Sequence, residues 1–238
     1  MISNINSDDI LFVDIETVPS VSTFEEMNET MQHLWEKKSK NFRDSQQTAS
    51  DVYERAGIYA EFGRIICISS GYLTGKTLRI KSVYGDDEKA LLGEFGSMVN
   101  RWGTRKDPYL CGHNGKEFDF PYVARRMIVN NIMVPEMLNS AGKKPWEIKH
   151  LDTMELWKFG DYKNFTSLAL LSEILGIPTS KDDIDGSMVA SVYYNDQDIR
   201  RIVTYCEKDV LGLARVMMRF MGKEAIADEN VESLTRFQ

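Results

Sequence analysis

Residues 10–18, ILFVDIETV, are apolar almost without interruption and stop at Pro19, which cannot donate to a ladder from a central position. The run predicts a buried strand broken only by Asp14, Glu16 and Thr17. From about Thr23 to Phe62 the apolar spacing becomes helical. Phe24, Met27, Met31, Leu34 and Trp35, then Val52, Tyr53, Ala56 and Tyr59, predict two helices inserted after that strand. Two β-rich runs around Thr74-Gly75-Lys76 predict a hairpin, because glycine adopts the turn conformation other residues resist. A helix with acids in its first turn follows in DDEKALLGEFGSMVNRW, then a short strand in PYLCGHN and a helix from about Phe120 to Asn131.

HLDTMELW predicts a short strand running into a helix capped by Asp152 or Thr153, and FTSLALLSEILGIP a helix closed by Gly176 and Pro178. The last third is dominated by a helix from about Asp196 to Met221. Ile199, Ile202, Val203, Cys206, Val210, Leu213 and Met217 fall on one broad apolar face of it. The expectation is one α/β domain over residues 1–222, with a helical insertion at about 23–62 and a polar tail, 223–238, that frays. No internal repeat interrupts it.

Composition changes this picture little. With 42% hydrophobic and 27% charged residues in 238, the chain is neither disordered nor fibrous. No segment approaches the roughly 20 apolar residues of a bilayer span and no leader precedes the first strand, so a cytoplasmic protein without membrane contact is expected. Cys67, Cys111 and Cys206 are odd in number and set among apolar neighbours, which suits reduced core thiols. The net charge of −7 argues against a general basic coat for nucleic acid. It sits in the first 62 residues, which hold 12 acids against 5 bases, and leaves room for a local basic groove.

Asp14 and Glu16 change the picture most. Residues two apart on a strand point to one side, so the two carboxylates project together. Buried side by side they cost several kcal/mol unless a cation or an open strand end relieves them. A hard divalent ion such as Mg²⁺ or Mn²⁺ does so with oxygen ligands, and needs further carboxylates from elsewhere. A solvent-facing strand end is the plainer alternative. Further along, GHNGKEFDF places Asp119 where a strand opens into a helix, a position acids often take as caps. YCEKD puts Tyr205 and Asp209 four apart, on one helical face.

In order, spacing and context, VDIET, HNGKEFD and YCEKD resemble the three motifs of the DEDD 3'-to-5' exonuclease superfamily, in its tyrosine-bearing branch. The similarity is to the proofreading exonuclease domain of family B DNA polymerases and spans about Leu11 to Met218. It implies a ribonuclease H-like fold, with a mixed sheet of about five strands flanked by helices and the site near the centre of the first strand. The insertion at about 23–62 departs from that pattern. The resemblance further implies that Asp14, Glu16, Asp119 and Asp209 hold two divalent ions, Mg²⁺ or Mn²⁺, and that Tyr205 orients the attacking water. Among substrate-binding residues it places Asn114 near the scissile region, Phe118 in the core or beside the terminal nucleotide, and the Thr17 amide at the terminal 3'-hydroxyl.

The implied activity is release of nucleoside 5'-monophosphates from the 3' end of single-stranded DNA. RNA as substrate is one alternative, and a non-catalytic module binding nucleic acid or protein on the same fold is another. A polymerase or repair partner stays open. His113 reads as a structural strand-end residue, with substrate contact as the alternative. Lys143, Lys144, Lys149, Lys158 and Lys163, with Arg125 and Arg126, form either a phosphate track or a solvated face, as do Arg200, Arg201, Arg215 and Arg219.

Overall fold

The computed structural model describes residues 4–161, 163–178 and 184–237. Among them one six-stranded mixed sheet forms, in the order β5-β4-β1-β2-β3-β6. The strands are β1 (Ile10–Pro19), β2 (Gly63–Thr74), β3 (Thr77–Tyr84), β4 (Tyr109–Gly112), β5 (Leu151–Asp152) and β6 (Val231–Ser233). The helices are α1 (Glu29–Ser39), α2 (Glu88–Trp102), α3 (Asp119–Val129), α4 (Thr153–Lys158), α5 (Leu168–Ile174), α6 (Val189–Ser191) and α7 (Ile199–Phe220). This is the α/β architecture the pattern predicts, and the mixed sheet flanked by helices of the ribonuclease H-like fold that the resemblance implies.

β1 lies inside the sheet, antiparallel to β2 and parallel to β4. Both of its faces are therefore covered, which is why its sequence is nearly all apolar. Leu11, Val13 and Ile15 join a core with Leu92, Phe95 and Val99 of α2 and Phe120, Val123 and Met127 of α3. Ile10 and Phe12, on the opposite face, pack with Val210, Leu213, Ala214 and Met217 of α7. By strand alternation Asp14 and Glu16 share the α7 face. That helix comes close to the sheet because Gly71 faces it: a Cβ there would lie 2.7 Å from Val210 Cγ1.

The insertion differs from expectation. Only its first half is an α-helix, started by Asn28, whose side chain accepts from the Met31 amide. The second half is a 3-10 stretch, Tyr53–Ile58. Trp35 is fully buried in a small aromatic core with Phe42, Tyr53, Tyr59 and Phe62, and donates its indole N–H to Ala49 O at 2.9 Å. The tighter winding ends against the sheet, where the Tyr122 hydroxyl donates to Gly57 O at 2.7 Å. Gly63 lies under that bond, and a Cβ on it would be 2.3 Å from the same hydroxyl.

A buried ion pair fastens this corner. Arg126 makes two bonds to Glu88, at 2.6 and 2.9 Å, and donates to Ala60 O, while Glu88 also accepts from the Ile65 amide and the Asn130 amide group. Burial pushes the Glu88 carboxyl up, but these donors pull it below its usual value. Arg126 thus belongs neither to a phosphate track nor to a solvated face. Arg215 leaves the solvated face in the same way: it is 5% exposed and bonds Ile226 O, Pro178 O and the Asp228 carboxylate.

The residues after Gly222, expected to fray, instead add the sixth strand. β6 runs parallel to β3, with Leu78 opposite Val231 and Ile80 opposite Ser233. Glu207 of α7 accepts from Ser82, Ser233 and Thr235, joining the helix, the sheet and this segment. The three cysteines are free and buried. Among the described residues no helix is long and apolar enough to cross a membrane.

Candidate active site

Three distant segments meet at the middle of β1. The strand supplies Asp14 and Glu16 just before a bulge, where Glu16 pairs with Cys67 but Thr17 with Ile65. α7 supplies Tyr205, Cys206 and Asp209. The turn after β4 supplies Phe118 and Asp119, the latter as first residue of α3. Ligand atoms of Asp14, Glu16 and Cys206 all lie within 4.8 Å of one another. The Cys206 thiol is 3.3 Å from Asp14 Oδ2 and donates toward it. Tyr205 bonds the Asp209 carboxylate through its hydroxyl.

Charge is crowded here. Burial pushes the Asp14 carboxyl well up, the Asp119 and Asp209 charges push it further, and the Cys206 thiol opposes them. Burial followed by the Asp14 charge does the same to Glu16. Asp119, 5% exposed, is raised to about 7 by burial, with its own amide and that of Ile15 opposing and the Asp152 and Asp209 charges adding. Burial and then Asp209 and Glu16 push the Tyr205 phenol far above its usual value. Asp14, Glu16 and Asp119 make no ion pair with a described residue, so protein cations do not offset them. Carboxylate oxygens without a partner cation form a donor set that fits hard divalent ions. The buried Cys206 thiol, itself pushed up by burial, is a poor ligand for them.

A cleft of about 480 Å³ opens over these residues, and Asp14, Glu16, Thr17, Phe118, Tyr205 and Asp209 line it. The insertion contributes one wall through Glu54, Arg55, Gly57 and Ile58, so it borders the site without closing it. Ser187 and Ala190 line it as well. Asp119 is buried beside this cleft. Asn114 is placed elsewhere: its backbone is left-handed, with φ of 62°, its carbonyl accepts from the amides of Glu117 and Phe118, and its side chain borders a neighbouring groove. Thr17 bonds Tyr122 through its side chain.

Two residues near the acids were not singled out from the sequence. Cys206 lies one turn before Val210 on the apolar face and reads only as core. Asp152 reads as the cap of α4, and is one, accepting from the amides of Met154 and Glu155. It also accepts from the amides of Asn114 and Lys116, at 2.9 and 3.0 Å, and so pins the turn that delivers Phe118 and Asp119. An acid at the end of a strand edge was the available signal. His113 has Nδ1 2.9 Å from Thr153 Oγ1 and donates from Nε2 to Thr166 O, and burial lowers its pKa, as suits a structural residue.

A family model described as a predicted 3'-5' exonuclease related to the exonuclease domain of PolB matches residues 58–234. Among solved structures, the family B DNA polymerase from the hyperthermophilic archaeon Pyrobaculum calidifontis is similar at a TM-score of 0.52 and 15% identity. The similarity covers 89% of this chain and 24% of the polymerase chain, so the protein spans about a quarter of that length. No curated protein matches the chain.

Proposed function

Because the chain belongs to the family of predicted 3'-5' exonucleases related to the exonuclease domain of PolB, we propose that it removes nucleoside 5'-monophosphates from the 3' end of single-stranded DNA. One observation carries this reading: carboxylates from three separate segments gather beside one cleft, and those of Asp14, Glu16 and Asp119 have no protein cation among the described residues to offset them. Asp14, Glu16, Asp119 and Asp209 would hold two divalent ions, Mg²⁺ or Mn²⁺, which when bound activate water at neutral pH and offset charge at the phosphate and the leaving 3'-oxygen.

The chain's own groups supply position. Tyr205 stays neutral at working pH because its pKa is raised, so it orients water as a hydrogen-bond partner and does not act as a general base. Asp209 fixes the phenol by accepting from it. Phe118 lies half-buried at the cleft edge, where its ring can pack against the terminal nucleotide. The Thr17 amide serves the terminal 3'-hydroxyl. Asn114 acts through the turn it shapes, which delivers Phe118 and Asp119.

Matched end-labelled DNA and RNA 20-mers, incubated with Mn²⁺, test the reading. Stepwise shortening from the 3' end is expected, faster on DNA, and Asp14→Ala should abolish it while the melting temperature is kept. Faster shortening of RNA would make the protein an exoribonuclease. Retention of the strand without shortening would make it a binding module, and cutting of a circular single strand would make it an endonuclease.

A further inference from the structure

The segment from Lys143 to Phe165 carries three aromatic rings that the fold does not use. Trp146 is 78%, Phe159 91% and Phe165 65% exposed. Single exposed apolar residues need no explanation, but three large rings within twenty positions do. Phe159 is the most telling. It ends α4 with φ of 44° and ψ of 35°, a left-handed conformation that costs a bulky residue about 1 kcal/mol or more. Gly160 stands next to it, so the chain holds a strained ring in water where a glycine was within reach.

Cations accompany the rings. Lys144 Nζ lies 5.2 Å from the centre of the Trp146 ring, and Lys158 Nζ 4.2 Å from that of Phe165. Neither lysine makes an ion pair among the described residues. Of the acids close by, Glu155 pairs with Lys116 at 2.7 Å, Glu136 with Lys143 at 3.2 Å, and Asp152 is bound by backbone amides. Lys143, Pro145, Lys158 and Gly160 line a groove of about 480 Å³ whose other side is the turn carrying Asn114, Lys116 and Glu117. The next residue of that turn, Phe118, lines the acidic cleft. One turn therefore borders both the groove and the cleft.

From this arrangement we infer that the groove and the three exposed rings of the segment that forms one side of it bind the single strand 5' of the terminus being cut, with bases stacked on Trp146, Phe159 and Phe165 and phosphates near Lys144 and Lys158. The inference rests on the exonuclease reading, and takes a strand whose 3' end enters the cleft to leave across the 114–118 turn, which borders both cleft and groove. Rings interleaved with ammonium groups suit a chain of planar bases joined by anions, and stacking on them is tolerant of sequence. An acidic or purely apolar partner would leave one half of this chemistry unused.

The test separates binding from cleavage. Binding of a fluorescein-labelled 20-mer is followed by anisotropy in EDTA, where no turnover occurs, and cleavage of the 20-mer and of a trinucleotide is followed with Mn²⁺. Replacing Trp146, Phe159 and Phe165 by alanine should weaken 20-mer binding by about 5- to 100-fold per ring removed. It should also erase the lower KM for the 20-mer relative to the trinucleotide. Lys144→Glu with Lys158→Glu should lower the salt slope of binding by about 0.7 for each phosphate no longer neutralised. Phe159→Gly relieves the backbone strain, so its melting temperature should rise while binding still falls; that outcome separates a ring effect from misfolding. Unchanged affinity and unchanged length preference in the triple variant would overturn the inference, as would equal KM for both substrates in the wild type. If no substrate is shortened but the wild type binds the 20-mer and the triple variant does not, the catalytic reading falls and the surface stands.

Discussion

Removing one negative charge from the site should make the metal-free protein more stable, increasingly so as the pH rises. Asp119 is the clearest case, being 5% exposed and held at about 7 where an unburied aspartate titrates at 3.8. A carboxyl whose folded pKa lies above its unfolded one costs the fold nothing below about pH 3.8. It costs progressively more as the pH climbs to 7, the reverse of a salt-bridged carboxylate. Three pH units at 1.36 kcal/mol each give a full cost of about 4 kcal/mol above pH 7, with about 2 kcal/mol already present at pH 5. Asp119→Asn keeps the shape and an acceptor for one of the two amides, but drops the charge. Its stability advantage should therefore widen by about 2 kcal/mol between pH 5 and pH 8, on the order of 4–8 °C in melting temperature for a chain of this size. Thermal melts in EDTA at four pH values across that range measure it. With Mn²⁺ at pH 8 the advantage should vanish, because the wild type then gains the binding free energy of ions the variant holds poorly. Parallel curves for the two proteins in EDTA would refute the reasoning, since burial of an ionised Asp119 would then carry no cost.

Tyr205→Phe keeps the ring and loses the hydroxyl that Asp209 holds, so single-turnover cleavage should slow by about 10²-fold while Mn²⁺ affinity, read by calorimetry, stays close to wild type. Glu88→Ala strands the Arg126 guanidinium in a buried corner and should cost about 3–5 kcal/mol in urea unfolding, against a smaller loss for Glu88→Gln. Gly63→Ala puts a methyl group 2.3 Å from the Tyr122 hydroxyl and 2.6 Å from Gly57 O, and should lower stability by about 1–3 kcal/mol. Adding Tyr122→Phe to it should recover part of that loss in the same melts.

The strands and helices that build the sheet's centre were legible because their signals are local. The continuous apolar run of β1, the Thr74-Gly75-Lys76 turn and the apolar face of α7 are each read within a few residues. Asp14 and Glu16 were legible for a related reason, since charge inside an apolar strand is costly enough to need a cause. What the sequence concealed was decided by distant partners. Arg126 and Arg215 read as polar helix faces, and only distant partners, Glu88 for the first and the carbonyls of Pro178 and Ile226 for the second, hold them inside. Val231–Ser233 is short and polar, and becomes a strand only because β3 offers a free edge. The second inserted helix fails where Gly57 must pass close to Val18 and Pro19, with a Cβ there 3.1 Å from Val18 C. Its apolar spacing could not reveal that. Cys206 was hidden by its own chemistry, because a buried thiol among aliphatic neighbours looks the same whether or not a carboxylate lies opposite.

The short strand β6 also guards against self-association. It occupies the outer side of β3, eight residues long and partly apolar, whose amides and carbonyls would otherwise offer a template to another chain. A version of the protein shortened before Val231 would keep every acid of the cleft yet expose that ribbon, and the defect should surface as aggregation during expression or storage.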